Sequence, residues 1–229
     1  GNMQSLIDKV KEDERKMRKA DLRLLQEQIQ PHFLYNTLDT IVWLIESNEP
    51  DEAVTMVVTL SDFFREILSK GKEFISIKEE EKHISSYLQI QEMRYRDILE
   101  YDIQLDQVIY KYQILKLTLQ PVVENSLVHG MKDKHSVSVT ITARMEDSTL
   151  VLCVEDNGSG ISPEKLKELR EALDQEDIYR EHIGLYNSHR VVRLLYGPSY
   201  GLTIESSPGN GTRVSVTLPS RRPSGLRKT

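Results

Sequence analysis

Five short segments of this 229-residue chain carry residues suited to binding or transferring a charged group. In "VEDNGSGIS", Asp156, Gly158 and Gly160 fall between an alternating apolar run and a helix-forming one. Glycines there permit positive φ and let backbone approach a ligand, and Asp156 can accept a hydrogen bond from an amine at the bottom of a pocket. In "LQPVVENSLVHG", Asn125 and His129 lie one helical turn apart on one face. A carboxamide oxygen suits a Mg²⁺ ion already carried by phosphates. "HIGLYNSHR" sets Gly184 and Asn187 at the mouth of a helix, where free N–H groups and the helix dipole attract phosphate. "SPGNGTRVSVTLP" places Gly209 and Gly211 before a final strand. The fifth, "QPHFLYN", sets His32 directly behind Pro31 in a helix-forming run. Any one of these also reads as an ordinary turn, a helix surface or a core histidine, so their order carries the information.

The elements that must position them follow from periodicity. "LIDKVKEDERKMRKADLRLLQEQIQ" is dense in good helix formers. Leu22, Leu25, Ile29 and Phe33 share one side of that helix; Leu34, Leu38, Ile41, Val42 and Ile45 form a stripe on another. The apolar face therefore changes sides at Pro31–His32, where a proline kink re-aims it and leaves His32 near the stripe's edge. "SNEPDE" breaks the pattern, and a second amphipathic helix follows, ending at Gly71. One hairpin cannot bury its own apolar face, so two copies are expected to pair as a four-helix bundle. Ser76 and Glu79 stand at capping-box spacing before a further helix. "EYDIQL" predicts a strand, "YQILKLTLQPVVENSLVHGMK" a helix, and "SVSVTITARMEDSTLVLCVEDNG" a hairpin. A helix from Ser162–Pro163, the helix "GLYNSHRVVRLLYG" and two strands around a Pro/Gly/Asn turn complete an α+β domain.

The formal net charge of -6 argues against a general nucleic-acid binder. The single cysteine, Cys153, reads as a buried strand residue, and no disulfide can form within one chain. No apolar run reaches membrane-spanning length. The opening "GN" before Met3 reads as a cloning addition, so the chain is expected to be a soluble piece of a longer protein.

Taken in order, an Asn-bearing helix, D-x-G-x-G, an acidic segment, G-L-x-N and a G-T strand resemble the ATP-binding domain of sensor histidine kinases, over residues of about 100 to 219. That is the α/β-sandwich (GHKL, Bergerat) fold shared with gyrase, Hsp90 and MutL. "QPHFLYN" resembles the phosphoacceptor signature of the YesM/LytS-type two-component kinases, and "YLQIQEMRYRD" their segment leading into the ATP domain. The resemblance implies a helical dimerisation and phosphotransfer region at 1–72, a connecting helix at 73–99, the ATP domain at 100–219 and a disordered tail at 220–229. It implies ATP and Mg²⁺ as cofactors, a homodimer, a response-regulator receiver domain as partner, and the cytoplasmic portion of a membrane-anchored sensor.

Residue by residue, the resemblance makes His32 the phosphoacceptor. Asn125 is the Mg²⁺ ligand, with Glu124 beside it and His129 one turn on, and Asp156 holds the adenine amine. Gly158 and Gly160 shape the pocket, Gly184, Leu185 and Asn187 belong to the lid, and Gly211 and Thr212 mark the last strand. Asn36, one turn after His32, stands where other histidine kinases carry a Thr or Asn that supports dephosphorylation of the partner; it equally reads as a local cap. No acidic residue follows His32, which leaves Asp39 and Glu27 as candidate bases. The chain departs from the pattern at Gln30, Val128, His182 and Val191, where Asn, a basic residue, Gly and Arg are usual. Those departures keep open a degenerate kinase acting as a scaffold. A gyrase-type ATPase is disfavoured because its catalytic Glu position holds Pro121, which cannot activate water.

Overall fold

The computed structural model describes residues 31–68, 73–131, 136–175 and 183–220. The first helical stretch through Gln30, with Glu27, as well as Gly71, His182 and the tail from 221 lie outside the described residues.

Helices α1 (Pro31–Glu46) and α2 (Pro50–Leu68) form the hairpin. Its turn puts Asn48 at φ 60°, a left-handed conformation that asparagine tolerates, and closes with Glu49 N–H donating to Leu44 O at 2.9 Å. Within the chain α1 buries Phe33, Thr37, Ile41 and Leu44, and α2 answers with Ala53, Met56, Leu60 and Phe63. Thr37 fits that face because its hydroxyl donates back to Phe33 O at 2.7 Å. The expected stripe of Leu38, Val42 and Ile45 is not the core face. Those three are exposed, as are Val54, Val57 and Val58 on α2. Leu34 packs partly against the core and Ile41 is buried, so the stripe is divided between two faces.

A short strand β1 (Phe74–Ser76) leads into α3 (Ile77–Tyr95). Ser76 and Glu79 form the capping box: the hydroxyl accepts from Glu79 N at 3.2 Å and the carboxylate accepts from Ser76 N at 2.7 Å. A 3₁₀ turn (Arg96–Ile98) delivers β2 (Leu99–Gln104). The predicted long helix from Tyr112 is corrected. Gln113–Leu115 is a strand, β3, antiparallel to β1, and the helix α4 spans only Gln120–Gly130. Between them Leu117 adopts φ 64°, which no helix accommodates.

Glu80 of α3 holds that turn. Its buried carboxylate accepts from Leu117 N at 3.1 Å and from Leu119 N at 2.9 Å. Burial holds this carboxyl above the usual range; the nearby His83 and the backbone amides act against it. Glu80→Ala leaves one buried and one half-buried donor unpaired. We expect a loss of about 2–4 kcal/mol in urea unfolding, and a loss under about 1 kcal/mol would show that the turn is held by other contacts.

The remaining elements are β4 (Val137–Glu146), β5 (Thr149–Asp156), α5 (Pro163–Gln175), α6 (Ile183–Tyr196), β6 (Gly201–Ser206) and β7 (Thr212–Pro219). They complete a five-stranded sheet in the order β2-β4-β5-β7-β6, with β2 parallel to β4 and the other pairs antiparallel. Alternation along each strand sends one face inward, so Ile141, Val154, Val214 and Ile204 form a single buried rung. Central β5 is buried on its other face as well, through Val151 and Cys153. One continuous apolar core runs from Phe33 on α1 through α3 to the sheet.

Candidate functional site

The next rung toward one end of the sheet changes character. Val139, Asp156, Thr212 and Ser206 stand opposite one another on β4, β5, β7 and β6. Asp156 is 4% exposed, and its Oδ1 accepts from Gly158 N at 2.9 Å and from Thr212 N at 3.3 Å. Burial pushes its carboxyl up, while those amides and nearby His129 favour the charged form. The result is a buried, oriented acceptor at the end of the sheet.

Glycine is obligatory around it. A Cβ on Gly158 would stand 2.6 Å from Gly130 Cα at the end of α4, so only glycine lets the loop touch the helix. Gly211, at φ 75°, would drive a Cβ to 1.8 Å from Asp156 O, and Gly160, at φ 73°, to 2.0 Å from Ser207 O. Ser206 ties the corner, with its hydroxyl donating to Gly211 O at 2.7 Å and lying 2.9 Å from Thr212 Oγ1. Residues 56 apart in sequence, Asp156 and Thr212, are thereby brought into one corner with the end of α4.

On α4, Glu124, Asn125 and His129 are half-buried, and Val128 is exposed to solvent. Gln120 Nε2 donates to Glu124 Oε1 at 2.8 Å. Burial raises the Glu124 carboxyl and the Gln120 bond opposes that rise. At the start of α6, a Cβ added to Gly184 would lie 3.5 Å from Pro121 Cβ of α4, an ordinary contact. Packing therefore does not require glycine there. Leu185 is a core residue and Asn187 is half-buried. Val191 packs with Phe74 and Leu115, so α6 uses this position for apolar contact with the β1–β3 pair.

His32 is exposed on α1, and its Nδ1 lies 2.8 Å from the Asn36 carboxamide. Asn36, Asp39 and Trp43 continue the same stripe and line a cavity of about 530 Å³ whose far wall is Tyr95 and Arg96 at the end of α3. The Arg96 guanidinium sits 5.0 Å over the Trp43 ring and pairs with Glu49 and Glu52. The sequence reading missed this groove, along with Glu80, His83 and Gln120, which join α3 to α4. Among the described residues no group of three or more His, Cys, Asp or Glu is arranged to hold a metal. A neutral amide such as Asn125 fits a Mg²⁺ ion that keeps most of its ligands from phosphates and water.

Residues 20–99 match the family described as histidine kinase, and residues 111–222 match the family of histidine kinase-, DNA gyrase B- and HSP90-like ATPases. An uncharacterized sensor-like histidine kinase of Staphylococcus epidermidis is 33% identical over 216 residues, covering 94% of this chain and 42% of its own length. The sensor protein kinase HptS of Staphylococcus aureus is 32% identical over 219 residues, covering 96% and 42%. The chain thus spans under half the length of these curated relatives. The catalytic domain of histidine kinase ThkA superposes with a TM-score of 0.52 at 14% identity, over 65% of this chain and 97% of that one, a likeness of fold. With both parts matched in tandem and whole-chain relatives of the same kind, the chain belongs to the sensor histidine kinases, as their helical kinase region followed by the gyrase B- and HSP90-like ATPase domain.

Proposed function

We propose that this chain is the kinase portion of a two-component sensor, transferring the γ-phosphoryl group of ATP to His32 and from there to an aspartate of a receiver domain. The observation that carries the reading is the Asp156, Gly158, Gly160, Gly211 and Thr212 corner assembled against α4, in one chain with an exposed histidine on a helix. Asp156 accepts the exocyclic amine of adenine, and the glycines admit the base. Asn125 presents its amide to a phosphate-borne Mg²⁺, with Glu124 and His129 beside it. Gly184 and Asn187 bring the start of α6 to the phosphates. Mg²⁺, when bound, neutralises phosphate charge during transfer.

At His32, a neutral ring nitrogen attacks the γ-phosphorus, an N–P bond forms, and the bond to the ADP oxygen breaks. Positioning and charge neutralisation supply most of the catalysis, so no strong base is required. Asn36 orients the ring, and its neutral carboxamide suits the reverse task of directing water at a phosphorylated partner. The phosphoramidate is labile enough to pass its phosphoryl group to a carboxylate. The chain with γ-³²P-labelled ATP and Mg²⁺ should take up acid-labile, base-stable label; none would overturn the reading.

The exposed rows of Leu38, Val42 and Ile45 on α1 and Val54, Val57 and Val58 on α2 support a homodimer. Pairing through them would make a four-helix bundle. Val42→Glu with Val57→Glu should therefore give a monomer by analytical ultracentrifugation while helix content stays at the parent level. A dimer that persists would mean another surface mediates pairing. In the longer protein we place this portion on the cytoplasmic side of a membrane-anchored sensor.

A further inference from the structure

His83 of α3 lies outside the nucleotide corner, yet its ring points at the helix that carries Asn125. It is 2% exposed, and its Nε2 lies 2.7 Å from Gln120 Oε1. A carbonyl oxygen only accepts, so Nε2 carries the proton. Nδ1 is buried with no hydrogen-bond partner, so Nε2 makes the ring's hydrogen bond. The other end of the Gln120 carboxamide donates to Glu124 Oε1 at 2.8 Å. The amide is therefore directional. Turned over, it would set oxygen against the Glu124 carboxylate and N–H against the His83 N–H.

The ring is itself held. It stacks on Phe63 of α2 with centroids 4.9 Å apart and planes at 21°. Phe63 lies 5.1 Å from Phe33, the residue after His32. One turn earlier on α3, Glu80 grips the backbone that enters α4. A buried path of contacts thus runs from the helix bearing His32, through Phe33, Phe63, His83 and Gln120, to Glu124 beside Asn125.

We infer that His83 is a positioning residue for phosphoryl transfer: it fixes the direction of Gln120, which holds the Glu124 carboxylate beside Asn125 in register with the helix bearing His32. The inference rests on the reading of Asn125 as part of the Mg²⁺–nucleotide site. It locates the effect in the transfer step, because adenine is held at the separate Asp156 corner.

The test uses the full chain. His83→Phe keeps an aromatic ring to stack on Phe63, in a somewhat larger side chain, but removes the donor. Its autophosphorylation rate at saturating ATP should fall about tenfold or more, with KM for ATP within about threefold. His83→Gln can place an N–H near the lost Nε2 and should recover the rate to within about threefold of the parent. His83→Phe combined with Gln120→Met should be no slower than the slower single variant, because both break one path. A parent-like rate in His83→Phe overturns the inference. So does an equally slow His83→Gln, or effects that multiply. If the parent itself takes no label, the kinase reading falls separately. The relay is then judged by long-range ¹H–¹⁵N spectra of the His83 ring. They should show a proton on Nε2 in the parent and a perturbed ring in Gln120→Met. The Nδ1–H tautomer, with Nε2 bare, overturns the relay whatever the labelling result.

Discussion

His32→Gln is expected to lose phosphoryl transfer from ATP by at least about a thousandfold while nucleotide affinity stays within about twofold. Glutamine retains polarity and length but has no nucleophilic nitrogen, since its amide lone pair is delocalised. The position is exposed, so the exchange should cost under about 0.5 kcal/mol of stability and the protein should remain folded. The ring's contact with Asn36 lies on the surface, and its loss leaves no buried group unpaired. The Asp156 corner is built from β5, β7, their flanking loops and the end of α4, none of which contains His32. Binding and transfer should therefore separate cleanly. Incubation with γ-³²P-labelled ATP measures the transfer, and calorimetry with a non-hydrolysable ATP analogue measures the affinity. Label above about a tenth of the parent's would place the acceptor elsewhere.

Which parts of this arrangement could be read from sequence follows from how local their physics is. The β4–β5 hairpin was legible because alternation over "SVSVTITARM" and "STLVLCVED" matches the strand period. The glycine corner was legible in part because positive φ at Gly160 and Gly211 is a constraint of the residue's own backbone and shows as residue type, whereas the close contacts at Gly158, Gly160 and Gly211 are with segments distant in sequence. Strands β1 and β3 were not. Each is three residues long and pairs with a segment far off in sequence, so neither has a period to detect. "KLTLQ" is composed of helix-compatible residues, and what stops a helix there is the Glu80 carboxylate on Leu117 and Leu119. Glu80 sits in "KEEEKH", which reads as a solvated charge run. Its burial is a tertiary fact.

The face of α1 illustrates a different gap. Phe33, Leu34, Leu38, Ile41, Val42, Leu44 and Ile45 spread apolar residues over about half of the helix circumference, wider than a single core-facing stripe. Such a pattern says that two faces need cover, without saying which is covered from within the chain. In the fold, Phe33, Ile41 and Leu44 join the chain's own core while Leu38, Val42 and Ile45 stay exposed. At Val191 the family pattern anticipates a charge, yet α6 turns that side chain onto Phe74 and Leu115. That departure therefore reflects local packing, whatever its effect on phosphate.

Asp156→Asn is the expected counterpart at the nucleotide end, with ATP affinity lower by at least about 100-fold, close to 2.7 kcal/mol. The substitution is nearly isosteric, which separates recognition from folding. An asparagine oxygen can still accept from Gly158 N and Thr212 N, so those two buried donors remain paired. Burial disfavours the ionised carboxyl while the two amides favour it, so the two effects of removing the charge oppose each other. The difference falls on the second side of the group. With its oxygen committed to the backbone, the substituted carboxamide would present an N–H where Asp156 presents an acceptor. On the proposed reading adenine brings an amine to that point, so donor would meet donor beside a buried side chain. Guanine carries a carbonyl at the equivalent ring position, and the variant should therefore favour GTP relative to ATP by comparison with the parent. Calorimetry with both nucleotides gives the affinities, and a thermal midpoint near the parent's confirms the fold. ATP affinity within about threefold of the parent, with no change in the ATP-to-GTP ratio, would remove Asp156 from base recognition.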